Sequence, residues 1–344
     1  MTTYHGRRAA AIENQYLRLT VLQEGGHIAE ILDKGTGINP LWTPPWRTSE
    51  PSAYGPDVYG EYGSDVESKL LAGLMGHNLC LDIFGGPSAE EWAAGIGVHG
   101  EGSVAAYEIE AAGDKMTMRL LLRAAQIAFE RRIELRDRTV RINESVQSLA
   151  SFDRPIGWTQ HVTLGPPFLE KGVTQFRASA TRSKVLDSDF GLHDRMTAGA
   201  EFDWPHVPRR DGTSEDLRVL TGDDSSCAYT AHLMDAPREQ AFFAAFAPSA
   251  RLVFGYVWKP ADFPWLGIWE ENFSRTHAPW NGHTLTRGME FGVSPIPESR
   301  RQMVERGQLF GVPAYRWLPA KARLEAEYFV VTAHADAIPE TLSV

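Results

Sequence analysis

Five stretches of the sequence gather side chains able to move protons or bind hydroxyl groups. His99-Gly-Glu101 sets an imidazole two residues from a carboxylate, a spacing that puts both on one side of an extended chain. Trp158-Thr-Gln160-His161-Val-Thr-Leu164 collects an indole, an amide, an imidazole and two hydroxyls on a predicted strand that Pro166 and Pro167 stop. A strand this polar calls for a polar cavity. Pro264-Trp-Leu-Gly-Ile-Trp269-Glu270-Glu271-Asn272, Ala278-Pro-Trp280-Asn-Gly282 and Arg287-Gly-Met-Glu290 then bring aromatic rings and carboxylates together. Flat indole faces stack on the apolar C–H faces of sugars while amides and carboxylates take the hydroxyls, so this mixture suits a saccharide pocket.

Each stretch also has a plainer reading. His161 fits a strand histidine satisfied by a neighbouring carbonyl, and Trp265 or Trp269 fits a core side chain. His99 and Glu101 would bind a metal only if a second histidine approached, and two ligands make no site. No metal is therefore expected, and Glu101 is expected to orient His99 or bind a sugar hydroxyl. Gly95-Ile-Gly97-Val-His99-Gly100 matches a dinucleotide-binding pattern, but that pattern needs a strand before it and a helix after it. Here Ser88-Ala-Glu-Glu-Trp92 reads as a helix start and Val104 to Ile109 as a strand, so the pattern is set aside.

Composition narrows the partners. The 344 residues carry a formal charge of −10 with no basic run, which repels a phosphate backbone and excludes nucleic acid as a natural partner. Hydrophobic residues at 43% and charged residues at 23% supply an ordinary globular core. The first residues hold no apolar run long enough for a signal peptide or membrane helix, so a cytoplasmic location with no membrane partner is expected. Cys80 and Cys227 alone make neither a disulfide framework nor a structural zinc site. The glycosylation patterns at Asn143 and Asn272 carry no weight without a secretion signal.

The elements that must position these residues read almost entirely as strands. Leu17, Leu19 and Val21 alternate with Arg18 and Thr20, and Met116, Met118, Leu120 and Leu122 alternate with polar residues. Phe129, Arg131, Ile133 and Leu135 share one face, Arg136-Asp-Arg138 makes a tight turn, and Val140, Ile142, Glu144 and Val146 return. Glu144 interrupts an apolar row and is read as a buried structural partner. Leu252, Phe254, Tyr256 and Trp258 form another face, and Tyr328 to Val331 reads as the last strand. Helix is predicted over 298–309, and the proline- and aromatic-rich Trp42 to Pro56 reads as a long ordered loop. Many strands with few helices between them imply an all-β fold: antiparallel sheets stacked as one large β-sandwich domain spanning 1–344.

At these residues the chain resembles the aldose 1-epimerase, or galactose mutarotase-like, family. Ile12 to Val21, Gly25-Gly-His27-Ile-Ala-Glu30-Ile and Asp33 to Trp42 look like its opening strands and glycine turn. His99-Gly100 resembles its first histidine motif, Gln160-His161-Val-Thr-Leu its second, and Gly288-Met-Glu290 the segment carrying its glutamate. The resemblance implies a galactose mutarotase-like supersandwich that interconverts the anomers of a free sugar without a cofactor. Carried over, Glu290 takes the anomeric hydroxyl proton, with Glu270 or Glu271 as rivals for that role, while His161 protonates the ring oxygen and His99 helps hold it. Trp158, Gln160, Trp269, Trp280, Glu270, Glu101, Asn78 and His77 are the expected sugar-binding residues. The arginine-containing stretch expected ahead of the first histidine has no match in Leu70 to Phe84, where His77, Asn78 and Asp82 stand.

The expected partner is thus a small-molecule carbohydrate, met by a monomer or homodimer. Two other functions fit the same residues. One is a non-catalytic sugar-binding sandwich. The other is a lyase or hydrolase that cuts a glycosidic bond with a carboxylate pair such as Glu270 and Glu290. A phosphosugar epimerase would need clustered arginines, and Arg131-Arg132 and Arg209-Arg210 offer no obvious route to the pocket.

Overall fold

The alternations produce strands, and the apolar side of each strand decides where the core lies. Leu17, Leu19 and Val21 are fully buried on strand Leu17–Leu22, as are Met116 and Met118 on Lys115–Leu122. A computed structural model describes residues 2–188, 190, 191 and 193–344. Among these residues the strands build a twelve-stranded sheet facing an eight-stranded one, the all-β sandwich that the periodicity predicts. The centre of the larger sheet runs, strand beside antiparallel strand, through His77–Asp82, Arg154–Leu164, Leu285–Gly292, Trp265–Asn272 and Ser226–Met234. The turn expected at Arg136 to Arg138 joins Ile127–Arg136 to Thr139–Ser148, with Asp137 at φ 50°.

Apolar side chains from both sheets share one core, in which Trp258 stacks on Phe291 with ring centroids 4.3 Å apart. A polar network is embedded there. Glu144 accepts from Arg131 Nε (2.7 Å), Tyr328 Oη (2.7 Å), Trp158 Nε1 (2.8 Å) and Gln160 Nε2 (2.7 Å). Glu144 is therefore the paired structural carboxylate that its place in an apolar row indicated, since a buried charge persists only with such partners.

Two boundaries differ from the sequence reading. The helix predicted over 298–309 is Arg300–Arg306, because Ser299 and Gln302 form a capping box at its start and Gly307 (φ 66°) ends it. The strand read over Val104 to Ile109 begins only at Glu108, because the amides of Val104 and Ala105 turn back to the carbonyl of Glu101. The loop from Trp42 onward leads into helix Ser68–Gly73, whose Leu70 and Leu71, with Leu74 just beyond, belong to one apolar cluster with Trp269 and Trp280.

Candidate active site

Side chains alternate across a strand, so on Arg154–Leu164 residues 159, 161 and 163 share one face and 158, 160 and 162 the other. His161 stands on the face away from the eight-stranded sheet. Its cross-strand neighbours are Asn78 on one side and Glu290 on the other, with Gly267 beyond Glu290. That register brings His161 Nε2 to 3.0 Å from Glu290 Oε1, while Nδ1 lies 3.0 Å from Thr163 Oγ1. The approach is not aligned as a hydrogen bond, and Glu290 Oε1 has no hydrogen-bond partner.

His99 arrives from a different element. It follows helix Ala89–Ala93 and adopts φ 63°, so the chain turns sharply there. Its Nδ1 donates to the Phe84 carbonyl at 2.6 Å, which fixes the tautomer and leaves Nε2 with its lone pair. The rings of His99 and His161 meet edge to face, 5.1 Å between centroids. His99, His161 and Glu290 line one cavity of about 250 Å³. Trp269 and Trp280 form part of its wall, 6.1 Å apart and nearly perpendicular, with Trp269 also 5.7 Å from the His161 ring.

Burial sets the electrostatics. It pushes the Glu290 carboxyl well above the usual range. It pushes His161 well below the usual imidazole range, and the field of His99 adds to this. Burial lowers His99 to about 4, against the opposing pull of the Phe84 carbonyl. The low-charge form, imidazole beside carboxylic acid, is therefore favoured at rest. The indole N–H groups of Trp269 and Trp280 and Glu290 Oε1 are buried without a hydrogen-bond partner.

No family model matches the sequence, and no curated protein matches it. Solved structures do match the fold. A galactose mutarotase related enzyme from Lactobacillus acidophilus is 13% identical with a TM-score of 0.62, covering 96% of this chain and 100% of that one. A galactose mutarotase-like protein from Clostridium acetobutylicum is 13% identical with a TM-score of 0.64, covering 97% of each chain. Another from Lactobacillus casei is 12% identical with a TM-score of 0.57, covering 95% of this chain and all of that one. The chain has the galactose mutarotase-like fold.

On this galactose mutarotase-like frame several expected sugar-binding residues lie elsewhere. Trp158 and Gln160 point between the sheets into the Glu144 network, on the face opposite His161. His77 is there too, donating from Nε2 to Gln160 Oε1 (2.9 Å) and accepting at Nδ1 from Tyr256 Oη (3.0 Å). Trp258 belongs to the same inter-sheet core. Glu270 alternates away from Trp269 and pairs with Arg195 and Arg287, so Glu270 and Glu290 occupy opposite faces of the sheet. Asn78 shares the face of His161 but is fully buried outside the cavity wall, its Oδ1 without a partner.

Glu101 is a further correction. The left-handed backbone at His99 breaks the extended geometry assumed for His99-Gly-Glu101, and Glu101 opens a 3-10 turn. Its carboxylate accepts from the backbone amides of Arg123, Ala124 and Ala125 at 2.9–3.1 Å, fastening that loop and neither touching His99 nor facing the cavity. Conversely, the sequence reading missed Arg275, Glu67 and Tyr229. Arg275 lies 4.7 Å over the Trp280 ring and reaches Glu271 (3.5 Å) and Glu67 (3.9 Å). Arg275 stands between two of the quoted aromatic stretches, but nothing in its spacing marks it. It is the arginine of this cavity, and it comes from a loop far along the chain from Leu70 to Phe84.

Proposed function

We propose that this protein interconverts the anomers of a free aldose by acid/base ring opening at His161 and Glu290. The observation that carries the reading is the 3.0 Å approach of His161 Nε2 to Glu290 Oε1 in a cavity walled by Trp269 and Trp280. The anomeric hydroxyl oxygen and the ring oxygen are both bonded to C1, so two proton-exchanging atoms this close can serve both at once. The cavity falls below the roughly 300–1,000 Å³ usual for drug-sized ligands, a size suited to one sugar ring.

The proton inventory closes over one cycle. At rest the pair holds its proton on the Glu290 carboxyl, and transfer to His161 Nε2 leaves carboxylate beside imidazolium. Glu290 then takes the anomeric hydroxyl proton as His161 delivers one to the ring oxygen, which opens the ring and returns both groups to their starting forms. Rotation about C1–C2 and the reverse transfers close the other anomer. His99 Nε2, unprotonated, accepts a hydrogen bond from a sugar hydroxyl and holds the ring in place.

Anomer exchange measured by NMR across a panel of aldoses tests this. Exchange should be faster than in buffer for at least one sugar, and Glu290→Gln should lower it by about 10²–10⁴-fold with an unchanged melting temperature. Sugar binding without any acceleration would identify a non-catalytic binding sandwich instead.

A further inference from the structure

The cavity has two walls of different chemistry. The sheet wall carries its proton-exchanging groups, His161 and Glu290, beside the Trp269 indole. The other wall comes from the segment ahead of His77–Asp82: Leu70, Leu71 and Leu74, 4–5% exposed, form an apolar face, with Val66 and Glu67 preceding them in the lining. Among the described residues no Asn, Gln, Ser, Thr or Asp side chain lines the cavity. Those are the neutral groups that would satisfy sugar hydroxyls one by one.

Apart from His99 Nε2, which is free to accept, and the Trp280 indole, the other polar side chains of the wall have partners. Tyr229 Oη donates to the Pro295 carbonyl at 2.9 Å. Arg275 is answered by the carboxylates of Glu271 and Glu67. With those two carboxylates at hand, no net positive charge is left to draw an anionic sugar. A hydroxyl pressed against the leucine wall would be buried without a partner, whereas a methyl group there replaces water with ordinary apolar contact.

We infer that the substrate class is a neutral deoxy sugar, an aldose whose terminal CH2OH is replaced by a methyl group that packs against Leu70, Leu71 and Leu74. This rests on the anomer-exchange reading and narrows it. The polar edge of the ring, with the anomeric hydroxyl and ring oxygen, meets His161 and Glu290, and the methyl end meets the helix Ser68–Gly73 wall.

The test compares sugars that differ only at that carbon: D-fucose with D-galactose, L-fucose with L-galactose, and L-rhamnose with L-mannose. Anomer exchange by NMR should give kcat/KM about 10- to 100-fold higher for the deoxy member of at least one pair. Leu71→Asn should narrow that ratio by raising the rate on the hydroxylated member. Equal or faster exchange of the parent hexoses in every pair overturns the inference and leaves the anomer-exchange reading standing. If no member of any pair is accelerated, the binding titration decides. Tryptophan fluorescence responding only to the deoxy sugars keeps the substrate class and removes the catalytic reading. No response to any of them removes both.

Discussion

Gly288 lies two residues before Glu290 on the same strand face, and a β-carbon on Gly288 would sit 2.4 Å from Glu290 Oε1 and 3.3 Å from the Trp269 β-carbon. Gly267, the cross-strand partner of Glu290, is crowded as well: a β-carbon there would lie 3.3 Å from Oε2 and 2.4 Å from Tyr229 Oη. Two bare backbone positions thus make the room in which the carboxylate faces His161. Such close approach is a use of glycine within a strand that no other residue can match.

Gly288→Ala should therefore displace the Glu290 carboxylate without removing it. Anomer exchange should fall at least about tenfold, since displacements near 1 Å cost that much or more. The effect should appear in kcat, with the fold retained by circular dichroism. A variant with wild-type kcat would show that the position of the carboxylate is not critical.

Breaking the inter-sheet network should cost stability and leave the chemistry alone. Glu144→Gln keeps the shape but leaves the buried Arg131 charge without its carboxylate, 2.7 Å away in the wild type. Removing one member of a buried ion pair typically costs about 3–5 kcal/mol. The urea midpoint should drop accordingly while the rate constants of the folded fraction stay the same. A shift under about 1 kcal/mol would mean that water reaches Arg131.

The sequence revealed the strands, and through them the core, because burial on one side of a sheet imposes period two. Leu17, Leu19 and Val21, or Phe129, Arg131, Ile133 and Leu135, could be assigned to a face from their spacing alone. The same rule separates His161 from Trp158 and Gln160, which lie at odd offsets from it. Grouping all three as one polar motif overlooked that parity. Glu101 was misread for a different reason: its expected direction required extended backbone, and the left-handed φ of His99 is invisible in residue types. Arg275 reaches the cavity from a loop, where no periodicity links position to direction. The sheet thus wrote its part of the site into the sequence, and the loops did not.

Acid should weaken the fold through histidines held neutral by burial. Burial lowers His27 to about 3, helped by the Arg7 charge, and lowers His232 to about 3, helped by Arg287. His99 sits at about 4. These folded values lie below the unfolded value of about 6.5, so between them the unfolded chain binds more protons. Their contribution is complete above pH 6.5 and is lost as pH falls towards 4 and then 3, by about 1.4 kcal/mol per pH unit for each histidine. Denaturant melts at pH 7.5, 6.5 and 5.5 should show this decline. His27→Gln should reduce its slope by about one proton, and an unchanged slope would mean that His27 is protonated in the fold.

The two classes of tryptophan should respond differently to a ligand. Trp269 and Trp280 line the cavity, so a sugar there changes the stacking and the surroundings of those rings. Trp158 and Trp258 are sealed between the sheets, their indole nitrogens donating at 2.8 Å to Glu144 and to the Phe263 carbonyl. A sugar that shifts the emission of the wild type should therefore still shift it in Trp158→Phe and Trp258→Phe. In Trp269→Phe and Trp280→Phe the change should shrink, and in the double variant it should vanish. The folding baseline of each variant is fixed first by its melting curve, because Trp158→Phe also removes a donor from Glu144 and should melt earlier without losing the ligand response. A response that survives in the Trp269→Phe, Trp280→Phe double variant but disappears with Trp158 or Trp258 would move the binding site away from the His161 and Glu290 face altogether.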